Sequence, residues 1–126
     1  MDQKKRFRNK GAIGTFLDEY EKALNELIET INDISEKELA KIIDFETDDK
    51  DCKSIQSILT HVVQSGYIYV VEIRKWLGEN LDYRSKINFQ TAKDYKYALK
   101  EMFEFNEQLF IDYQILNCAK TTQRKK

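Results

Sequence analysis

Apolar residues recur at three- and four-residue intervals between Ile13 and Ile34, the spacing that places side chains on one side of an α-helix. The opposite side carries charged and amide residues, as expected for a solvated surface. A first long amphipathic helix is therefore predicted. Ser35 followed by Glu38 matches a capping box and predicts a short helical turn that runs to Ile43. The apolar positions of the long helix are Ile13, Phe16, Leu17, Tyr20, Leu24, Leu27, Ile28, Ile31 and Ile34.

The run DFETDDKD, residues 44–51, has no apolar period and predicts a loop. Its acids resemble a calcium-binding loop only superficially, because the glycine and the terminal glutamate of the EF-hand spacing are missing. Carboxylates at this point interact favourably with the positive N-terminal end of the helix that follows. The loop is therefore interpreted as a helix-starting segment rather than as a metal site.

A second long helix is predicted from Lys53 to Leu77, with GEN ending it. Its apolar residues cover more than one side, so this helix is expected to be the central one. Gly66 costs about 1 kcal/mol in a helix interior relative to alanine, and the close approach of another backbone is the expected compensation. The main apolar face comprises Ile55, Ile58, Leu59, Val62, Gly66, Tyr69, Val70, Ile73, Trp76 and Leu77, and it is widened by Val63, Tyr67 and Val71.

A third long helix is predicted to start after Thr91 as N-cap, with Asp94 at the capping-box position. Asn106 interrupts its apolar stripe, which suggests a buried hydrogen-bond partner for the amide, His61 being one candidate. From Gln114 onward the helical period fades. The chain is thus all-α, with a basic arm at residues 1–10, a helical domain at residues 11–113 and a polar basic tail at residues 114–126.

The composition fits one globular domain, since 126 residues are too few for two cores and the absence of proline favours long helices. Because no segment approaches the roughly 20 apolar residues that span a bilayer, we expect no membrane partner and a cytoplasmic location. Cys52 and Cys118 have no metal-binding or redox spacing and are interpreted as free thiols.

The net charge of −1 conceals an uneven distribution. Residues 1–10 carry five Lys or Arg against one Asp, and residues 120–126 carry four Lys or Arg, which leaves the body between them strongly acidic. Basic ends can contact nucleic acid or another anionic surface, but short terminal clusters are more often simply solvated. An acidic body argues against a broad phosphate-binding surface, so a nucleic-acid partner is not expected.

His61, the only histidine of the chain, lies inside the apolar second helix but off the centre of its apolar face. It borders the core near the azimuth of Ser54, Ser65 and Glu72. Such an imidazole is either a packed polar side chain at a core edge or one ligand of a metal site. The choice between these two interpretations depends on whether the rest of the chain supplies further metal ligands.

The segments GAIGTFLDEYEKALNELIETI and KSIQSILTHVVQSGYIYVVEIRKWLGE, separated by the acidic loop, resemble the DinB-like (DinB/YfiT) superfamily. The resemblance implies an up-down-down-up helical bundle whose last helix is missing or reduced here. It also implies descent from metal-dependent enzymes, either thiol-dependent transferases or hydrolase-like proteins, that act on small-molecule substrates. In that family a histidine on the second helix and a His-x-x-x-His on the last helix hold nickel or zinc. His61 matches the second-helix metal ligand.

No histidine follows His61, so the metal site implied by the resemblance is incomplete in this chain. Glu72, Glu101 and Glu104 could substitute as ligands, but exposed helical acids are better explained as solvated charge. Phosphate-binding loops and nucleophile elbows are also missing. Two hypotheses remain: a metal-dependent enzyme whose other ligands come from an absent segment or a second subunit, and a non-catalytic bundle that acts through oligomer contacts. A homodimer is predicted because the groove for the missing helix needs a cover, with Val63, Tyr67, Val70 and Val71 near the contact.

Overall fold

The computed structural model describes residues 11–113, and within them the predicted all-α helical bundle is confirmed. Four α-helices occur in this part of the chain: α1 (Gly11–Ile31), α2 (Glu36–Ala40), α3 (Ile55–Trp76) and α4 (Ala92–Tyr113). A short 3₁₀-helix, Lys50–Cys52, precedes α3. The basic arm and the tail of the sequence analysis lie outside the described residues.

The predicted helix starts rest on side-chain caps. Ser35 and Glu38 form the expected capping box at the start of α2, each side chain accepting a hydrogen bond from the other residue's backbone N–H. At α4 the Asp94 N–H donates to Thr91 Oγ1 at 3.1 Å, as expected for an N-cap threonine. The sequence analysis missed a second capping box, formed by Ser54 and Ser57 at the start of α3.

Helix α3 runs parallel to α4. Thr60 contacts Tyr95 near the start of both helices, and Arg74 contacts Asp112 near their ends. Helix α1 is antiparallel to α4, because its later residue Tyr20 packs on Phe103 whereas its earlier residue Phe16 packs on Phe110. The three long helices therefore follow an up-down-down order.

A parallel helix pair needs a connection that returns along the full helix, and residues 77–91 provide it. Helix α3 has 22 residues and is roughly 33 Å long, a distance that 15 extended residues can span. This segment, here called the crossover, runs back along α3. Tyr83 donates to Glu72, the Arg84 guanidinium lies 3.9 Å from the centroid of the Tyr67 ring, and Phe89 is held near the start of α3.

Helix α4 is the helix that packs against both α1 and α3. The second long helix touches more than one neighbour, as expected, since α3 packs against α2 and the 3₁₀-helix as well as against α4. Side chains from all four helices meet in one core. Its buried members are Leu17, Leu24, Ile28, Ile31, Leu39, Leu59, Tyr67, Tyr95, Leu99, Met102 and Phe103.

The buried face of α3 differs from the predicted one by a rotation of roughly 100° about the helix axis. Leu59, Tyr67, Val70 and Val71 are buried together with the polar residues Thr60 and Arg74. Much of the most apolar face of this helix is left in solvent, because α4 and the crossover cover a different side of α3. Ile58, Tyr69, Ile73 and Trp76 are 39%, 68%, 43% and 84% exposed.

Gly66 lies against the side chain of Met102, not against another backbone as expected from the sequence. A Cβ added at Gly66 would lie 2.2 Å from Met102 Sδ and 2.6 Å from its Cγ. Asn106 Nδ2 donates to the Gly66 carbonyl at 3.3 Å and to the Met102 carbonyl at 2.9 Å. Asn106 thus has the buried partner expected of it, but that partner is the backbone of α3 and α4 and not His61.

Candidate functional site

His61 lies on the outer side of α3, about 150° around the helix from the residues buried against α4. Its side chain is 55% exposed. The Nδ1 atom is 3.2 Å from Asp51 Oδ2, and the Nε2 atom is 3.3 Å from Ser65 Oγ. The imidazole is therefore held between the 3₁₀-helix and the next turn of α3, at the protein surface.

Asp51 contacts two side chains, one through each of its carboxylate oxygens. Its second oxygen, Oδ1, accepts a hydrogen bond of 2.7 Å from Lys86 Nζ on the crossover. The hydrogen bond from Lys86 is the main cause that lowers the pKa of Asp51, and the positive charge of Lys86 adds to the effect. This cluster links the 3₁₀-helix, α3 and the crossover at the surface, where solvent screening leaves ion pairs with little net effect on stability.

A metal ion would find few ligands around His61. No group of three or more His, Cys, Asp or Glu side chains within residues 11–113 is arranged to hold one. Of the proposed substitutes, Glu72 accepts the hydrogen bond of Tyr83 on the crossover, and Glu101 and Glu104 line a depression on α4 beside Tyr67. His61 and Asp51 alone fall short of the three protein ligands of a catalytic zinc site. The metal role of His61 stays a prediction.

Asp51, His61 and Ser65 follow one another in the order of a catalytic triad, but the surroundings do not support acyl transfer. Ser65 lies in the middle of α3, where backbone N–H groups bond within the helix and cannot stabilise an oxyanion. Cys52 is no better nucleophile, because desolvation of the sulfur and its hydrogen bond to Asp49 raise the pKa of the thiol. Cys118 lies outside the described residues.

A buried arginine joins the ends of α3 and α4. Arg74 is 8% exposed, and its guanidinium donates to Glu79 at 2.8 Å and to Asp112 at 2.7 Å. Burial opposes its charge, but the hydrogen bonds to Asp112 and Glu79 outweigh that effect and raise the pKa of Arg74. Glu79 also accepts the hydroxyl hydrogen bond of Tyr113, the main cause that lowers the pKa of this carboxyl.

A second polar network attaches the crossover to the start of both helices. Tyr95 is fully buried, and its hydroxyl lies 2.5 Å from Thr60 Oγ1, accepts from the Phe89 N–H at 3.1 Å and reaches the Gln56 carbonyl at 3.2 Å. Thr60 also donates to Asn88 Oδ1 at 2.9 Å. Sequence reasoning missed both networks, and a lone arginine and a threonine inside the apolar second helix were the only signals of them.

The crossover encloses a cavity of about 120 Å³ against α3 and α4. Val63, Tyr67, Phe89 and Ala98 supply much of its apolar lining. Arg84 lies at this cavity with its guanidinium stacked on Tyr67. This enclosure was not predicted from the sequence.

The exposed apolar residues of α3 form the second conspicuous surface, here called the α3 stripe: Ile58, Tyr69, Ile73 and Trp76. They lie within about 60° of one another around the helix. Val62 and Ser65, both half-buried, lie on the same side of α3 between the residues of the stripe. The two aromatic rings alone leave on the order of 300 Å² in water, since a Tyr or Trp side chain buries about 150–250 Å² when covered.

Comparisons with protein-family models, with curated proteins and with solved structures found no match to this chain. The resemblance to the DinB-like superfamily therefore rests on the sequence segments quoted above. Within residues 11–113, none of the helices combines the length and the apolar composition needed to cross a bilayer.

Proposed function

We propose that the chain is a helical-bundle interaction protein that pairs with a second copy of itself through the α3 stripe. The observation that carries this proposal is the exposure of Trp76, Tyr69 and Ile73 on one side of α3, opposite the side that α4 and the crossover cover. Monomeric proteins rarely leave contiguous apolar patches larger than a few hundred Å² in water. Tyrosine and tryptophan are also the residues that contribute most to protein interfaces.

The spacing of the stripe supports a helical partner. Positions 58, 62, 65, 69, 72 and 76 alternate steps of four and three residues, the repeat by which two helices pack along a seam. Five of these six positions hold an apolar residue or a small serine, and Ile73 lies beside the sixth, Glu72. A helix from another copy can therefore lie along the full length of α3.

The stripe also complements itself. In a symmetric contact the same patch serves both subunits, and two antiparallel α3 helices centred on residue 67 pair Ile58 with the second copy's Trp76. The same alignment places the small Ser65 opposite the second copy's Tyr69. A large ring facing a small side chain is the arrangement that close helix packing requires. Self-association is thus favoured over an unrelated partner.

The homodimer contact proposed here differs from the one expected from the sequence. Tyr67, Val70 and Val71 are 6%, 1% and 2% exposed, because they already pack inside the bundle. They cannot contribute to a surface between subunits. The contact moves by about two fifths of the helix circumference, to the residues of the α3 stripe.

Trp76 is the only tryptophan of the chain, so its fluorescence reports on the proposed contact directly. We expect light scattering over a dilution series to give twice the chain mass at high concentration, with the Trp76 emission shifting to shorter wavelength as dimers form. Ile73→Glu should abolish both effects and leave the circular dichroism of the monomer unchanged.

Phe45→Ala provides the matched control, because Phe45 is 81% exposed but lies in the loop before α3 and outside the stripe. This variant should dimerise like the unmodified chain. A monomer at every concentration, with Trp76 emission that does not depend on dilution, would refute the proposal.

Descent from DinB-like metal-dependent enzymes is a separate proposal, and the up-down-down order of the three long helices supports it. The residues around His61 do not complete a metal site, so no catalytic step is assigned to them. Equilibrium dialysis with nickel and zinc tests the remaining role. Stoichiometric metal binding that disappears in His61→Ala would favour an enzyme whose other ligands come from outside the described residues.

A further inference from the structure

The cavity beneath the crossover has the features of a ligand site. It is enclosed by two helices and an extended segment, and an apolar interior adjoins a few polar side chains. Its volume of about 120 Å³ is close to that of apolar cavities that hold one benzene molecule. An aliphatic group of three to four carbons would therefore fill it, by roughly the same measure.

Two opposite charges line this cavity without neutralising each other. Arg84 and Glu101 both contribute to its wall and to the adjoining depression on α4. They form no ion pair, since within residues 11–113 no carboxylate lies within 4.0 Å of the Arg84 guanidinium. The guanidinium lies over the Tyr67 ring, 3.9 Å from its centroid, and its N–H groups donate no hydrogen bond within residues 11–113.

We infer that this cavity binds a small α-amino acid with an apolar side chain, of the size of valine or leucine. The ligand carboxylate pairs with Arg84, for which a planar carboxylate is the matching acceptor. The ligand ammonium pairs with Glu101, and Glu104 adds a second negative charge beside it. The aliphatic side chain fills the space between Val63, Phe89 and Ala98.

A ligand with only one charge would fit less well. A carboxylate without an amine satisfies Arg84 but meets the repulsion of Glu101, and an amine without a carboxylate has the converse problem. Gln64 and Ser85 also line the cavity, and their side chains make no hydrogen bond within residues 11–113, so they can solvate the ligand head group. The site thus selects a zwitterion.

Isothermal titration of the full chain tests the inference with three probes of nearly equal shape: L-leucine, 4-methylpentanoate and 3-methylbutylamine. We expect saturable binding of leucine and at least roughly tenfold weaker binding of each singly charged analogue. Arg84→Gln and Glu101→Gln should each weaken leucine binding by a similar factor. Lys100→Gln, which alters an exposed neighbour of Glu101 that does not line the cavity, is the control and should bind like the unmodified chain.

Urea melts of each variant show whether the bundle is intact before binding is compared. Absence of saturable leucine binding to the folded chain would overturn the inference. Equal affinity for leucine and for either analogue would overturn it too, because the two charges would then have no role. The titration does not depend on dimerisation, since the cavity and the α3 stripe lie on different sides of α3.

Discussion

Replacing Gly66 with alanine should destabilise the protein, although alanine is the better helix former. The gain in helix propensity is about 1 kcal/mol. Against it, the new Cβ would lie 2.2 Å from Met102 Sδ and 2.6 Å from Met102 Cγ, whereas nonbonded heavy atoms prefer about 3.5–4.0 Å. Forcing an extra carbon into a packed core typically costs about 1–3 kcal/mol.

The cost should lie at the upper end of that range because Met102 cannot easily move. Its side chain is 1% exposed, and its sulfur is contacted by Tyr20 Oη and by Asn106 Nδ2, each at 3.3 Å. Displacing it would disturb both polar side chains and the bond from Asn106 to the Gly66 carbonyl. We therefore expect Gly66→Ala to lower the free energy of unfolding by about 1–2 kcal/mol net.

A double-mutant cycle in urea separates this explanation from a general intolerance of α3. Met102→Ala alone should cost about 2–5 kcal/mol, the usual range for truncating a buried methionine. In that background the clash is gone, so Gly66→Ala should become stabilising by up to about 1 kcal/mol. If Gly66→Ala stabilised the unmodified chain, or destabilised both backgrounds equally, the packing argument would be wrong.

Two further predictions concern the polar networks. Tyr95→Phe should lower the free energy of unfolding in urea melts by about 1–3 kcal/mol, because Thr60 and the Phe89 N–H lose a buried partner. As the control, Tyr97→Phe at an exposed position should change the free energy of unfolding by less than about 0.5 kcal/mol. Hydrogen bonds from Gln108 and Arg74 lower the pKa of Asp112 in the folded state. The Asp112 carboxylate therefore stabilises the fold at pH values above the carboxyl pKa of the unfolded chain. This stabilisation is lost as the pH falls through the lower pKa of the folded state. Asp112→Asn should therefore lower the free energy of unfolding at neutral pH, and that free energy should fall less steeply in acid than it does for the unmodified chain. An equally steep fall in acid would contradict the role of Asp112.

The sequence predicted the helices well because their signals are local. The second long helix was expected at Lys53 to Leu77 and runs over Ile55–Trp76, and the caps at Ser35 and Thr91 were identified from residue type and spacing. Hydrophobic periodicity and capping depend only on neighbouring residues. These features were therefore accessible without knowledge of the tertiary fold.

The orientation of α3 was not predictable in the same way. A helix buries its most apolar face only when the rest of the fold covers that face, and here α4 and the crossover cover a different one. Arg74 and Thr60 are buried where Asp112, Asn88 and Tyr95 form hydrogen bonds with them from distant parts of the chain. Such pairings have no signature in local spacing, and the cavity that depends on Arg84 was invisible for the same reason.

The parallel packing of α3 and α4 has a consequence for how quickly the protein can fold. Contacts across this interface join residues 35, 40 and 38 positions apart at its start, middle and end. Every contact therefore closes a loop of nearly the same length, and the closure entropies differ by only about 0.1 kcal/mol. In an antiparallel hairpin the pairs beside the turn form first and lower the cost of the next ones. No such sequence of inexpensive steps exists here, so α3 and α4 should dock in one cooperative event, more slowly than antiparallel helices of equal length.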